Sequence, residues 1–230
     1  MTAIRPLLLA WSGGKDAAWS LHVLRQRADV WVVGLLSTVS TDDGRATLQG
    51  VRGEVLRAQA RAAGLPLLEV AMPEGSDNAT YTAVLAQALE RAAARWPGLD
   101  IVAYGDLFLA DIRAWRVAQL GALGWRIETP LFGADTRALA RGMVKGGLHA
   151  SLCCVDTAQL DADYAGRAFD AALLQALPPG VDACGENGEF HTCVSAGPMF
   201  DAPLALVAGD AWTRDGRFRL VDYALAPGAA

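Results

Sequence analysis

Lysine is almost absent from this chain of 230 residues. The sequence has 20 lysines and arginines together, yet only Lys15 and Lys145 are lysines. Basic positions are therefore arginine by default. The lysine that stands within a glycine turn near the N-terminus indicates a chemical role for that position.

Other features are scarce as well, and each absence excludes a class of protein. No stretch approaches the roughly 20 apolar residues that a membrane helix needs. The net charge of −5 and the pI near 5.2 argue against a non-specific nucleic-acid binder. The N-terminal residues lack the pattern of a signal peptide. The four cysteines form no C-x-x-C pair, which favours neither a zinc site nor a disulfide framework. We expect a cytoplasmic protein with reduced thiols and no membrane partner.

The order of hydrophobic patterns predicts an α/β fold. Hydrophobic residues make up 53% of the chain and charged residues 20%, as in a folded globular protein. Apolar strand candidates alternate with helical patterns, which predicts parallel βαβ units. These strand candidates are Leu7–Trp11, Val30–Thr38, Leu67–Ala71, Asp100–Tyr104 and Trp125–Thr129.

The pattern changes beyond Pro130, and a smaller α+β domain is expected there. Asp135 can cap a helix through Val144, and Leu148–Val155 predicts a strand. The remaining predicted elements are a helix marked by Phe169, Ala172, Leu173 and Ala176, and strands at Leu204–Val207 and Arg217–Tyr223. We therefore predict two domains, residues 1–130 and residues 131–230.

The stretch Ser12-Gly13-Gly14-Lys15-Asp16 joins the first strand to the first helix and predicts a phosphate site. Two glycines let the main chain approach a ligand closely. The first-turn N–H groups of the helix form an anion site, to which Ser12 and Lys15 add a hydroxyl and a charge. The spacing fits neither a Walker A loop nor a dinucleotide fingerprint. The alternative is a turn that uses its glycines only for geometry.

Further candidates lie where other strands end, because ligands of open α/β sheets bind beyond the carboxyl ends of the strands. Ser37 and Thr38 end the second strand, and Gly105-Asp106 follows the fourth. Arg113 and Arg116 lie on the next predicted helix and suit phosphate or carboxylate. The alternatives are ordinary polar residues at a strand end, and surface ion pairs of the arginines with Asp111.

The second dense cluster is Gly185-Glu186-Asn187-Gly188-Glu189-Phe190-His191-Thr192. Core packing alone is a poor explanation for so many polar and charged residues close together, because buried charges need partners. His191 suits a general base, and Glu186 or Glu189 suits a cation or an amine. A solvated turn is the alternative. His22 and His149 stand alone among apolar neighbours, which is typical of structural histidines.

Taken together, SGGKD, the Gly-Asp pair and GENGEFHT resemble the diphthine–ammonia ligase family. This is the diphthamide-synthesis branch of the PP-loop ATP pyrophosphatases, also described as adenine nucleotide alpha hydrolase-like. The resemblance runs from Leu7 to about Pro203. It implies a HUP-type (Rossmann-like) parallel-sheet domain that binds ATP, and a C-terminal domain that helps to form the substrate pocket. It also implies adenylation of a carboxylate, release of pyrophosphate, and displacement of AMP by ammonia.

The resemblance also assigns site residues. Ser12, Gly13, Gly14, Lys15 and Asp16 match the family's pyrophosphate loop, and Gly105 and Asp106 match its Gly-Asp pair. Its second-domain signature matches Gly185, Glu186, Gly188, Glu189, His191 and Thr192. The chain departs from the family pattern at two positions: Ala17 stands where many relatives have serine, and Gln49 where members often have histidine.

The sequence thus predicts an ATP-dependent amide ligase whose partners are ATP, ammonia and a carboxylate-bearing acceptor. Lys15, Glu186, Glu189 and His191 are the predicted catalytic residues. Asp16 and Asp106 are candidates to position Mg²⁺. Ser37 and Thr38 are predicted to border ATP. The residues predicted to bind the acceptor are Arg113, Arg116, Gly185, Glu186, Asn187, Gly188, Glu189 and Thr192.

Alternatives remain open at this level. One is another PP-loop enzyme, such as a tRNA thiolation enzyme, although those often use paired cysteines and basic RNA surfaces. Another is a nucleotide sensor without catalysis. The lysine-poor, arginine-rich composition is typical of a GC-rich bacterial genome, whereas diphthamide belongs to archaeal and eukaryotic elongation factor, so the acceptor can also be a small molecule. A monomer and a homo-oligomer both remain open.

Overall fold

The computed structural model describes residues 4–47, 49–73 and 75–228. Two β-sheets organise them. The first five strands are β1 (Arg5–Ala10), β2 (Val30–Ser40), β3 (Leu67–Met72), β4 (Ile101–Ala103) and β5 (Arg126–Glu128). The other four are β6 (His149–Asp156), β7 (Phe190–Ala196), β8 (Leu206–Arg214) and β9 (Phe218–Leu225). The helices are α1 (Lys15–Arg25), α2 (Gly53–Ala62), α3 (Asn78–Arg95), α4 (Ala110–Ala122), α5 (Thr136–Lys145) and α6 (Ala171–Ala176).

The first sheet is parallel throughout and has the strand order β3-β2-β1-β4-β5. The chain fills one side of β1 with β2 and β3 and then crosses to β4 on the other side. Such a reversal opens a crevice at the carboxyl ends of the two central strands. The turns that follow β1 and β4 therefore border one crevice.

The second sheet is antiparallel, with the order β7-β6-β9-β8. The predicted fold class, a Rossmann-like parallel sheet followed by a smaller α+β part, is confirmed. The domain boundary at residue 130 stays a prediction. One cluster of buried side chains includes Leu7 from the first sheet and Phe190 from the second, so a shared core joins the two.

Three predicted elements differ from the structure. The helix marked by Phe169 is only Ala171–Ala176, because Asp170 caps it by accepting a hydrogen bond from the Leu173 N–H at 2.8 Å. The strand predicted at Leu204–Val207 is β8, which extends to Arg214, and β9 extends to Leu225. Most of β8 is exposed and carries no pattern of burial from which its length can be predicted. No helix in the described ranges is both long and apolar enough to cross a membrane.

Candidate active site

The turn between β1 and α1 is shaped by its two glycines. Gly13 has a φ of +79°, and a Cβ there would lie 2.9 Å from both Gln59 Oε1 and Leu56 Cδ2. Gly14 is the N-cap of α1, and no side chain caps the helix from that position. The start of α1 therefore brings the positive end of the helix dipole to the crevice, where Asp16 and Ala17 lie on the wall beyond the two N–H groups that Ser12 and Thr192 engage.

Strand β7 of the second sheet packs directly against this turn. The Lys15 N–H donates to Thr192 Oγ1 at 3.0 Å, and the Val194 N–H donates to the Gly13 carbonyl at 3.0 Å. Ser12 Oγ accepts from the Gly14 N–H at 3.4 Å. The SGGKD turn and the strand that carries the end of GENGEFHT thus form one structure, although 177 residues separate Lys15 from Thr192.

Gln59 fastens the same junction from α2. This fully buried amide accepts from Trp11 Nε1 at 3.0 Å and donates to the carbonyls of Gly13 at 3.1 Å and Val194 at 2.8 Å. The oxygen of the amide thus binds Trp11, just after β1, and its nitrogen binds the glycine turn and β7. Gln59 lies on α2 among the buried residues Val55, Leu56 and Ala60. A glutamine at helical spacing among apolar residues is the one sequence signal of its role.

A cavity of about 280 Å³ lies between the two halves. Predicted site residues on its wall are Ser12, Gly14, Lys15, Asp16, Thr38, Gly105, Asp106, Arg116, Gly185, Glu186, Gly188, His191 and Thr192. Residues that were not predicted as site residues are Ala10, Trp11, Ala17, Leu36, Ala46, Thr47, Gln49, Tyr81, Leu85, Tyr104, Cys184 and Phe190. Both motif clusters therefore face one space that is large enough for a small ligand.

The Gly105-Asp106 turn lies against the start of α1. A Cβ on Gly105 would lie 2.9 Å from the carbonyl carbon of Asp16, so only glycine allows this approach. Asp106 lies 3.4 Å from Arg116 Nη1, and the Arg116 guanidinium stacks on the Tyr104 ring at 4.1 Å. Arg116 thus pairs with Asp106 on the cavity wall. The alternative for this arginine was a surface ion pair with Asp111, which the structure does not show.

Two carboxylate oxygens near this turn have no hydrogen-bond partner. Asp16 Oδ1 and Asp106 Oδ2 are both buried and accept nothing from the described residues. Burial raises the pKa of Asp106 against the charge of Arg116, and the Asp16 carboxylate raises it further. A Mg²⁺ ion bound mainly to phosphate and water needs only one or two such oxygens. Asp16 and Asp106 therefore fit a Mg²⁺ ion that is bound in this way. Within the described ranges, no group of three or more histidine, cysteine, aspartate or glutamate side chains could hold a metal ion.

Glu186 reaches the cavity from the loop before β7. Its Oε1 accepts from the Leu107 N–H at 2.7 Å, next to the Gly105-Asp106 turn. Burial raises the pKa of Glu186 to about 7 against the effect of that hydrogen bond, and the charges of Asp16 and Asp106 contribute to the rise. A carboxyl group with a pKa near neutrality can take up or release a proton at physiological pH.

His191 is the second titratable group on the wall from GENGEFHT. Burial lowers its pKa to about 4, and the charges of Lys15 and Arg214 lower it further. The imidazole is therefore neutral at physiological pH. It can accept or donate a hydrogen bond at a ligand without adding a charge.

The ammonium of Lys15 does not point into open space. Its side chain is 2% exposed, and Nζ donates to Asp16 Oδ2 at 2.8 Å and to the Cys184 carbonyl. Nζ also lies 5.4 Å from the centre of the Phe190 ring and 5.7 Å from that of Phe169. Burial opposes the charge of the ammonium, but Asp16 and, after it, Cys184 and Glu186 hold the pKa of Lys15 above its ordinary value. The ammonium thus links α1 to the loop that carries Glu186.

Glu189 and Asn187 do not line the cavity wall, and their roles at a ligand stay predictions. Glu189 is 2% exposed and accepts from the Asp182 N–H at 2.9 Å and the Asn187 N–H at 3.0 Å. The Asn187 amide also donates to Glu189 Oε1 at 3.0 Å. All these bonds close the loop on itself, so both side chains shape it.

Three more predicted residues are placed away from the cavity. Ser37 is buried and donates to the Trp11 carbonyl. Arg113 donates to Thr129 Oγ1 at 3.0 Å and stacks on Phe132 at 5.0 Å. Gly13 contributes its main chain to the turn but does not line the wall. The helical spacing of Arg113 and Arg116 puts both on α4, but only Arg116 faces the crevice.

The loop Ser40–Gly53 forms another part of the rim through Ala46, Thr47 and Gln49; its residue Leu48 lies outside the described residues. It is fastened to β9 by Asp222, which accepts from Arg45 Nη1 at 2.8 Å and from Arg52 Nε at 2.8 Å. Gln49 therefore lies at the cavity, and the loop that carries it is held by the second sheet.

The comparisons with known proteins concern the second half of the chain. Residues 135–224 match the family model of the diphthamide synthase C-terminal domain. A search of curated proteins found no match. The matched segment includes β6, β7 and β8, β9 except its last residue, and the whole of GENGEFHT, and it confirms the resemblance to the diphthine–ammonia ligase family.

Proposed function

We propose that this chain, whose residues 135–224 match the diphthamide synthase C-terminal domain, is an ATP-dependent ligase that converts an acceptor carboxylate into an amide. The observation that carries the proposal is the shared cavity. The anion-binding end of α1 forms one side, and Glu186 and His191 from the matched domain form the other.

The reaction proceeds in two steps. An oxygen of the acceptor carboxylate attacks the α-phosphorus of ATP, and the bond to the pyrophosphate oxygen breaks. Ammonia then attacks the carbonyl carbon of the acyl-adenylate, AMP leaves, and the nitrogen loses a proton. ATP and ammonia are thus consumed, and AMP, pyrophosphate and an amide are formed.

The first step needs a stabilised leaving group. The main-chain N–H groups at the start of α1, with Ser12 beside them, suit the negative charge of pyrophosphate. Asp16 and Asp106 are the residues that would hold Mg²⁺, which when bound neutralises phosphate charge. Because the Lys15 ammonium is bound to Asp16 and the Cys184 carbonyl, its role is to hold the wall together while the main chain binds phosphate.

The second step needs ammonia in its neutral form. Glu186 is partly buried on the cavity wall, and its raised pKa suits it to take a proton from ammonium. The same carboxylate, with Asp16 and Asp106 on the wall, attracts a cation to the cavity. His191, neutral and next to Thr192, is suited to orient the acyl group.

Product analysis with ¹⁵N-labelled ammonium tests the proposal. The protein is incubated with MgATP, the labelled ammonium and fractions of a cell extract, and nucleotides and amides are measured. We expect AMP, pyrophosphate and a labelled amide in equal amounts, and only with the fraction that contains the acceptor. Label in protein or in small molecules identifies the class of acceptor.

Two variants sharpen the test. Gly14→Val places side-chain atoms at the start of α1, where the Cβ alone would lie 3.2 Å from the Thr192 carbonyl oxygen, and should abolish ATP binding. Glu90→Gln on the exposed face of α3 is the control and should behave as wild type. Formation of ADP and phosphate would contradict the proposal, as would ATP binding without turnover in every fraction, which favours a sensor.

A further inference from the structure

Strand β8 is an open edge of the second sheet. It pairs with β9 alone, and residues 206–213 make no main-chain hydrogen bond to any described segment outside this hairpin. The opposite edge, β7, is covered by the glycine turn through Val194 and Gly13. An uncovered edge strand offers rows of N–H and C=O groups to another strand.

The composition of β8 does little to prevent such pairing. It contains neither lysine nor proline, the residues that most often protect an edge. Val207 is 49% exposed and Trp212 is 37% exposed. The ladder with β9 shifts register between Ala208 and Ala211, and beyond that point it runs regularly to Arg214. The regular end of β8 is therefore the part best suited to accept a partner strand.

That end, together with the adjoining Asp210 at the register shift, is complementary to a second copy of itself. Asp210, Trp212 and Arg214 occupy alternate positions and so share one face of the strand. When two copies run antiparallel about a two-fold axis at Trp212, Asp210 of each lies opposite Arg214 of the other. The two tryptophans then lie opposite each other between the charge pairs. Opposite charges and paired aromatics are both favourable cross-strand neighbours.

We propose that the protein forms a homodimer through β8, with the two antiparallel sheets joined into one continuous sheet across the axis. The occupant of the edge is a second copy and not an unrelated peptide, because the charge order of β8 matches its own reverse. Such an interface is isologous: each residue contacts the same set on both subunits. The inference is independent of the reaction catalysed in the cavity.

Light scattering and sedimentation over a wide range of protein concentration test the interface with charge-reversal variants. Asp210→Arg or Arg214→Asp puts like charges opposite each other twice per dimer. From the usual size of cross-strand pairs we expect either change to weaken association about tenfold. The double variant D210R/R214D restores opposite charges and should recover the dimer.

Two further variants complete the design. Ala211→Pro removes a main-chain N–H in the pairing stretch and should abolish the dimer. Glu90→Arg reverses an exposed charge on α3, away from β8, and is the matched control, expected to dimerise as wild type does. Thermal unfolding followed by circular dichroism verifies that each variant is folded.

Each outcome either supports the dimer or overturns it. A wild-type protein that stays monomeric at the highest concentration overturns the proposal. So does a dimer that is insensitive to Asp210→Arg and Ala211→Pro, because its interface then lies elsewhere. Failure of the double variant to recover the dimer overturns the pairing about Trp212, and with it the reason for choosing a second copy. Binding of an extended peptide to a monomer would assign the edge to another partner.

Discussion

Glu186 combines a fixed position with a titration near neutrality. One oxygen is held by the Leu107 N–H, and its pKa is raised to about 7. The carboxyl group is therefore mostly protonated below that pH and mostly ionised above it. In the proposed reaction only the ionised form takes a proton from ammonium.

We expect amide formation, measured at constant free ammonia, to rise with pH through about 7 in the wild-type protein. In Glu186→Gln the rate should be lower, and the rise should disappear because the amide does not titrate. Adenylation measured by pyrophosphate exchange should be affected much less, which separates this role from a purely structural one. A variant that keeps both the rate and the pH profile of the wild type contradicts the assignment.

At the scale of single residues, the sequence predicted which segments line the cavity but not the direction of each side chain. Lys15 and Glu189 both belong to motif segments, yet the first binds Asp16 and the Cys184 carbonyl and the second closes its own loop. The direction in which a side chain points depends on contacts between residues that are far apart in the chain. Such contacts leave no local pattern, so Glu186 and Glu189 were equivalent candidates until their partners were known.

Helix α2 contributes to the site through one buried amide. Gln59 makes three hydrogen bonds that join β1, the glycine turn and β7. Replacement by leucine keeps most of the volume but leaves the Trp11 N–H and two carbonyls without this partner. Each buried polar group left unsatisfied costs about 1–3 kcal/mol.

For Gln59→Leu we expect the free energy of unfolding to fall by about 3 kcal/mol, with weaker binding of ATP because the Gly13 carbonyl loses its anchor. Urea unfolding with and without ATP measures both effects. Gln87→Leu, on the exposed side of α3, is the matched control and should leave both unchanged. An unfolding midpoint equal to that of the wild type would show that the three hydrogen bonds contribute nothing to the junction.

At the scale of elements, buried strands were predicted well and exposed ones poorly. The central strands β1, β2 and β4 carry apolar runs because helices cover both faces of a parallel sheet, and all five strands of this sheet were predicted near their observed positions. β8 is almost entirely exposed, and only its first residues, Leu206 and Val207, were within the predicted strand. Its pairing with β9 defines its length, and the sequence of β8 alone carries no signal for that.

The two sheets of the molecule meet at the cavity and also at the Ser40–Gly53 loop. Asp222 on β9 accepts from Arg45 and Arg52 of that loop. Burial opposes ionisation, but the hydrogen bonds of Arg52 and Arg45 hold the pKa of Asp222 well below its usual range. A lowered pKa in the folded state means that the stabilisation is present at neutral pH and is lost as the pH falls through the native value.

Asp222→Asn should loosen this clamp, because an amide has no charge and accepts fewer hydrogen bonds. We expect trypsin to cleave after Arg45 and Arg52 several times faster than in the wild type, and ATP, whose cavity the loop borders, to bind more weakly. Asp215→Asn in the turn of the same hairpin is the control. Unchanged cleavage and unchanged ATP affinity would mean that other contacts hold the loop.

The contact between the glycine turn and β7 has a consequence during synthesis of the chain. Domains generally begin to fold from the N-terminal end as the ribosome extends them. The parallel sheet is complete once β5 has emerged, but Thr192 and Val194 have not yet been made. The nascent protein therefore spends part of its synthesis with an open glycine turn and without Glu186 and His191. The cavity in which the proposed reaction takes place is therefore complete only after β7 has left the ribosome.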